Sequence, residues 1–297
     1  FCFLCLSSPP RRCVNVDNKS YISESGNAMS FARSRAQLLT NGLAQRMSVH
    51  ARNDTDVTQA VVVRKHFFGP TMAILRLRTE TEKFEYSGGQ WVDFFAEGID
   101  RVGGYSFTSA QNLPSEVADL VDAPRDDNEF DLAVRVSAHP VASWIHSESC
   151  SPGTVVGVRC GGTFTLLKTG VISSSAQNPA TGSTSLPLFS CRHLLLIAGG
   201  AGINPLYSML LQLAAAHARS QACCPPPAVS CFYSGRDSGT MHLLPQLARL
   251  AAEGPFRPPL RVTASLTGAN PQWPGPAAGL AAAGSGLEYV TGRVDGA

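Results

Sequence analysis

Three glycines crowd the stretch LLLIAGGAGINP, residues 194–205: Gly199, Gly200 and Gly202, with Pro205 close behind. The apolar run before them suits a strand buried on both faces, and Pro205 sits where a following helix begins. A glycine turn between a buried strand and a helix is a place for a phosphate. Backbone N–H groups point outward there, and the helix end carries about half a positive charge. Gly200 and Gly202 let a pyrophosphate approach the backbone with no Cβ in the way. The pattern is not GxGxxG, because Asn204 and Pro205 stand where a third glycine would fall.

Competing chemistries lack their residues. No Gly-Lys pair occurs, which excludes a P-loop. None of the six tyrosines has a lysine four residues later, which argues against a short-chain dehydrogenase, and no GxSxG supplies a hydrolase elbow. The nine cysteines are scattered: Cys2 and Cys5 form one CxxC without a second pair, and Cys223 adjoins Cys224. That usage reads as reduced thiols rather than a disulfide scaffold, with no iron–sulfur spacing and no metal ligand set. A net charge of +2 gives no basic field for nucleic acid. No run approaches the roughly 18 apolar residues of a membrane span.

The elements that must position the glycine turn fall into two rhythms. A chain of 297 residues is long enough for two domains. Residues 57–168 alternate with period two. In TMAILRLR, Ala73, Leu75 and Leu77 alternate with Ile74, Arg76 and Arg78; in EFDLAVRV, Phe130, Leu132, Val134 and Val136 share a face. Short alternating strands separated by Gly, Pro and Asn predict an antiparallel β-barrel or sandwich. Residues 169–190, rich in Ser, Thr, Gly and Pro, read as a linker or insertion. Residues 191–297 alternate strands with helices, which predicts a parallel α/β sheet. Only three βα steps fit before Ala297, so this domain is expected to be incomplete at its C-terminal end.

Residues 1–56 are expected to be a disordered leader, with Met29 as the initiator. From there Arg33, Arg35, Arg46 and Arg52 occur with no acidic residue before Asp54, and Leu39, Leu43 and Met47 recur every four residues. An Arg-rich, acid-free, weakly amphipathic segment is the composition of an organelle transit peptide, here mitochondrial.

Taken in order, GGQWVDFF, VGGYSFTSA, LAVRVSAHPVASWIH, LLLIAGGAGINPLYSML, CFYSGRDSGTM and YVTGRV resemble successive motifs of the ferredoxin–NADP reductase-like flavoproteins, over residues 57–297. The resemblance implies a flavin-binding barrel, for FAD or FMN, followed by a nicotinamide domain for NADH or NADPH. Hydride would pass to flavin N5 and electrons onward to an acceptor the sequence does not name. In the family's Arg-x-Tyr-Ser motif the tyrosine packs on the isoalloxazine and the serine bonds near N5. Those positions are Tyr105 and Ser106, the implied catalytic pair, with Thr108 just beyond.

The motif arginine, a flavin-phosphate partner, falls on Gly103, and Arg101 lies in a different register. Arg135 is the charge available in its place. A Gly-x-x-Ser flavin segment reads Pro140 to Ser143, keeping only the serine. The Gly-Thr-Gly-x-x-Pro turn becomes Gly200 to Pro205, with Gly199 and Asn204 in the same cradle. Ser265-Leu266 stands where NADP-specific members place Ser-Arg, a leaning toward NADH, and Arg236 is suited to clamp a phosphate. The family's terminal Cys-Gly-Pro and aromatic are absent.

Two function classes follow. One is a flavin-dependent NAD(P)H oxidoreductase; the other is a nucleotide-binding or interaction module that turns nothing over, supported by Gly103 and Pro140. A plain NAD dehydrogenase would need an acid or base such as His146 or His193, and ranks below both.

Overall fold

Alternation in the first half and βα rhythm in the second both appear in the computed structural model. It describes residues 2–7, 57–80, 84–124, 126–166, 172–173, 188–189, 191–219, 226–268, 273 and 286–292, all in one compact unit of Phe1–Arg11 and Val57–Ala297. The strands are β1 (Cys2–Ser7), β2 (Thr58–Phe68), β3 (Met72–Thr79), β4 (Trp91–Phe95), β5 (Gly103–Ser106), β6 (Glu129–Arg135), β7 (Val155–Gly161), β8 (Ile172–Ser173), β9 (Leu188–Phe189), β10 (His193–Gly199), β11 (Ala228–Gly235), β12 (Arg261–Leu266) and β13 (Leu287–Thr291). The helices are α1 (Ser115–Val121), α2 (Pro140–His146), α3 (Ile203–Ala218) and α4 (Leu244–Glu253). The expected transit segment and most of the 169–190 linker lie outside the described residues.

The antiparallel sheet runs β5-β4-β7-β2-β3-β6. In β3, Ala73, Leu75 and Leu77 are fully buried, while Arg76 and Arg78 face outward to Asp131 and Glu129 of β6. In β6, Phe130, Leu132 and Val134 are fully buried, but Val136, expected on the same face, lies past the strand end and is 42% exposed. Inside, Tyr86 stacks on Phe107 with ring centroids 4.0 Å apart, and Phe84 on Phe130 at 5.2 Å. Offset aromatic pairs add to plain area burial in a core of this kind.

The sheet curls until its edges meet, but only at one point. Phe107, just past β5, bridges Leu132 of β6, and the Thr108 N–H donates to the Asp131 carbonyl at 2.9 Å. Away from that bridge β5 and β6 do not pair, so the barrel-like sheet is left with an open seam between Gly103–Ser106 and Ala133–Arg135.

The second sheet runs β1-β10-β11-β12-β13, with β10 to β13 parallel. β1, expected as part of a leader outside the fold, pairs antiparallel with β10 at the sheet edge. Likewise β8 and β9, inside the expected linker, pair with each other. On β10, Leu194, Leu196 and Ala198 are buried, while Leu195 is 37% exposed. The strand is therefore buried on one face and only partly covered on the other, where the sequence suggested burial on both. α3 and α4 supply that cover through Leu206, Met209, Leu210, Leu213, Leu247 and Leu250. No helix among the described residues is long and apolar enough to cross a membrane.

Barrel and nucleotide half meet closely. A Cβ on Gly88 would stand 2.7 Å from the Ser208 carbonyl of α3, so this approach requires glycine. The Ser208 hydroxyl donates across the interface to the Ser109 carbonyl.

Candidate functional site

β10 delivers the chain to the glycine turn. Gly200 has φ +54, a left-handed conformation that favours glycine, and no atom lies within 4 Å of an ideal Cβ there. Gly200–Gly202 form a single 3₁₀ turn and Gly202 caps α3. The first N–H groups of this 16-residue helix have no intrahelical partners and carry its positive end. Pro205, third in α3, gives up an N–H that the helix does not use.

The turn opens onto a cleft of about 230 Å³ lined by Thr71, Met72, Arg135, Gly199, Gly200, Ala201, Ser234, Gly235, Arg236, Thr240 and Thr267. It lies at the carboxyl ends of β10, β11 and β12, where open parallel sheets bind ligands. Four residues expected at the site, Arg135, Gly199, Gly200 and Arg236, thus line one cavity. Arg135 comes from the barrel and Arg236 from the nucleotide half, so the cleft carries a cation on each wall. Residues the sequence reading missed supply hydroxyls: Ser234 Oγ donates to the Ala198 carbonyl at 3.2 Å, Thr267 Oγ1 to Gly235 at 3.2 Å and Thr240 Oγ1 to Asp237 at 2.8 Å. Ser234 and Thr267 were findable as polar residues closing βα strands. Thr71 and Met72 were not, because only the Met72–Arg135 register brings them there.

Other expected residues sit elsewhere. The Asn204 side chain is 4% exposed and holds protein partners rather than lining the cleft. Gly202 and Pro205 shape the helix start behind it. Ser143 is exposed and donates to the Ser137 carbonyl at 3.0 Å. His146 bonds the Val134 carbonyl at 2.9 Å, and His193 starts β10 at the end away from the turn. Ser265, 1% exposed, donates to the Gly292 carbonyl at 2.6 Å.

The flavin positions lie along the seam. Tyr105 pairs with fully buried Val92 across β5 and β4, and Ser106 with Trp91, 38% exposed. Successive strand residues face opposite ways, so Tyr105 turns inward and Ser106 outward. The Tyr105 ring packs edge-on to Phe94 at 6.0 Å. Its hydroxyl is buried without a partner among the described residues, and burial pushes its pKa up to about 12. Thr108 is buried beside the bridge. Cys150, Cys160, Cys191 and Cys231 are free thiols, and burial raises the pKa of each.

A nucleotide phosphate fits the cleft: an open glycine, helix N–H groups and two guanidiniums are a donor set for an anion, while the Ser234, Thr240 and Thr267 hydroxyls give their protons to backbone carbonyls. A flavin ring fits the seam less completely. The orphaned Tyr105 hydroxyl and Ser106 are in place, but Gly103 offers no charge, and Arg135 at the seam's end is the cation that remains.

No protein-family model matches the chain. Oxidoreductase NAD-binding domain-containing protein 1 of Danio rerio is 39% identical over 147 residues, 50% of this chain and 44% of the relative. The Homo sapiens protein of that name is 36% identical over 141 residues, 48% of this chain and 36% of the relative. The match thus spans less than half the length of these relatives. Among solved structures, the flavohem-like FAD/NAD-binding domain of nitric oxide dioxygenase from Vibrio cholerae gives a TM-score of 0.52 at 16% identity, over 82% of this chain and 81% of that one. The cytochrome b5 reductase domain of Ulva prolifera nitrate reductase gives 0.52 at 16% identity, over 82% and 80%. By sequence the chain is similar to oxidoreductase NAD-binding domain-containing protein 1 over about half its length, and it shares the two-part fold of these ferredoxin–NADP reductase-like structures.

Proposed function

We propose that the chain binds a nicotinamide nucleotide in the cleft and a flavin along the β5–β6 seam, and passes hydride between them. The observation that carries this reading is the cleft itself, with the glycine turn and Arg236 on one wall and Arg135 of the seam on the other. A bound flavin would supply a two-electron acceptor at N5 and release single electrons to a further partner. Arg135 and Arg236 would neutralise phosphate charge, and the α3 N-terminus would seat the pyrophosphate. Ser106 would orient the flavin through its hydroxyl from the outer face of β5, and Tyr105 would back the seam from the inner face. Ser265, spent on Gly292, leaves no hydroxyl for a 2′-phosphate at that point, which favours NADH over NADPH. The seam residues do not distinguish FAD from FMN. The Arg-rich segment before residue 57 supports a mitochondrial location, testable by import of a fusion carrying residues 29–56.

A second reading, a nucleotide-binding module without turnover, is favoured by one feature. The Tyr105 ring lies over Gly103, on the side where the family's flavin-phosphate arginine would project. The visible spectrum of the purified chain, incubated with FAD or FMN and freed of excess, separates the two. Flavin bands that bleach on anaerobic NADH are expected. A colourless protein that still binds NADH would replace the oxidoreductase reading with the module.

A further inference from the structure

Ala133 lies on the seam edge of β6, where β5 has already parted from it. Its carbonyl accepts instead from Asn204 Nδ2 of α3, at 2.9 Å. A carbonyl oxygen only accepts, so the amide nitrogen must face it and Oδ1 must face away. Oδ1 meets His242 Nε2 at 2.8 Å, and since that oxygen also only accepts, the imidazole proton sits on Nε2. The neutral ring then carries no proton on Nδ1, which is buried and makes no hydrogen bond of good geometry among the described residues. Burial pushes the ring's pKa down to about 4, in keeping with a neutral imidazole, although the Thr240 backbone lies near enough to the ring to favour its charged form slightly. Phe68 of β2 stands against it, centroids 6.5 Å apart. Each polar choice in this chain follows from the one before, starting from a single backbone carbonyl.

Position gives the chain its consequence. Asn204 is two residues past Gly202 in the phosphate turn, and Ala133 is two residues before Arg135. The Asn204 amide therefore ties the turn on one wall of the cleft to the strand carrying the cation of the other. It does so by taking the place in the β6 ladder that β5 leaves empty. Both residues are almost completely buried, Asn204 at 4% and His242 at 2% exposure.

We infer that Asn204 and His242 are a positioning pair that fixes Arg135 against the glycine turn, so that both arginines of the cleft converge on one anionic ligand. The inference rests on the reading of the cleft as a nucleotide site. It makes Asn204 a docking residue of the turn, where the sequence suggested a ligand contact. A contact that only stabilised the fold would leave Arg135's share of binding unchanged.

The test is a double-mutant cycle on NADH affinity, measured by calorimetry on the purified chain. Arg135→Gln alone is expected to weaken NADH by about tenfold, the loss of one charge-assisted bond. In an Asn204→Leu background the same change should have almost no further effect, because Arg135 is already displaced. His242→Leu should behave like Asn204→Leu, whereas His242→Gln, whose amide can donate to Oδ1, should restore the Arg135 effect. If Asn204→Leu does not fold, the His242 variants carry the cycle. Ring ¹⁵N shifts of His242 are expected to show the Nε2–H tautomer. Additive losses with NADH binding intact, or an Nδ1–H tautomer, overturn the positioning role alone. A wild-type chain that does not bind NADH overturns the cleft reading and this inference with it.

Discussion

The ring of Tyr105 occupies the space a side chain at Gly103 would need: a Cβ there would stand 2.6 Å from Tyr105 Cε2 and 2.9 Å from its hydroxyl oxygen. Both residues face inward from β5, two apart, with Phe94 edge-on to the ring. The inward aromatic and the bare backbone are one arrangement: the motif tyrosine is kept, and its ring fills the space a side chain in place of the motif arginine would need.

Gly103→Ala therefore forces the ring off its seat or the strand outward. Overpacking of this kind costs about 1–3 kcal/mol, read as a lower urea midpoint at unchanged slope. Gly103→Ala combined with Tyr105→Ala should lose less than the sum of the two, since the clash has lost one partner. Strict additivity would mean that the ring swings away freely.

Gly200 presents the opposite case. Its Cβ direction is open, and only its φ of +54 opposes a side chain. Asp is among the residues that tolerate this conformation, at about 1 kcal/mol. Gly200→Asp should then fold with a melting temperature a few degrees lower while placing a carboxylate where the phosphate is proposed to sit. NADH affinity is expected to fall by at least about tenfold. Retained affinity, measured by calorimetry, would remove the turn from the binding site.

The sequence carried the architecture well, because period two and the βα rhythm each report burial directly. Ala73, Leu75 and Leu77 in β3 and the glycine turn after β10 fell where alternation and turn chemistry put them. Three features escaped for physical reasons. Leu195 looks buried by composition, yet one face of β10 is only partly covered, and cover is a tertiary property. Asn204 occupies a motif position beside glycines, and only the parting of β5 from β6 turns its amide toward Ala133 rather than toward a ligand. Tyr105 and Ser106 are adjacent in sequence, so a shared role is natural to infer. The β4–β5 register nonetheless sends them to opposite faces.

Outside the barrel, Arg76 grips Asp131 with two bonds, Nε to Oδ1 at 2.8 Å and Nη2 to Oδ2 at 2.9 Å, and its side chain is only 13% exposed. The bond to Asp131 raises the arginine's pKa, whereas burial raises that of the carboxyl. Removing one partner strands the other: Asp131→Asn should cost about 3 kcal/mol, while Arg76→Met with Asp131→Leu should recover most of it. The comparison is a denaturation series on the unaltered chain, Asp131→Asn and the double variant. A double variant as unstable as Asp131→Asn would show that the pair contributes more than its mutual compensation.

Acid should loosen the nucleotide half through His217. Its Nδ1 accepts from the Arg257 N–H at 3.2 Å and its Nε2 donates to the Pro227 carbonyl at 3.1 Å. A proton can enter only at Nδ1, against a donor already there. Burial, foremost, holds its pKa down to about 4 against 6.5 for a free histidine. The folded value is the lower one, so the stabilisation is complete above pH 6.5 and is lost as pH falls toward 4. Over that window the loss is on the order of 3 kcal/mol. His242, lowered to about 4 by burial, has the same sign. Asp131 has the opposite sign, since its pKa is raised and its contribution grows as pH falls. Subtraction isolates the ring: the melting curve of His217→Gln, taken between pH 7 and pH 4, should be flatter than that of the unaltered chain by about that amount. Parallel curves would mean that His217 gains its proton as readily folded as unfolded, and that its two hydrogen bonds do not fix the ring.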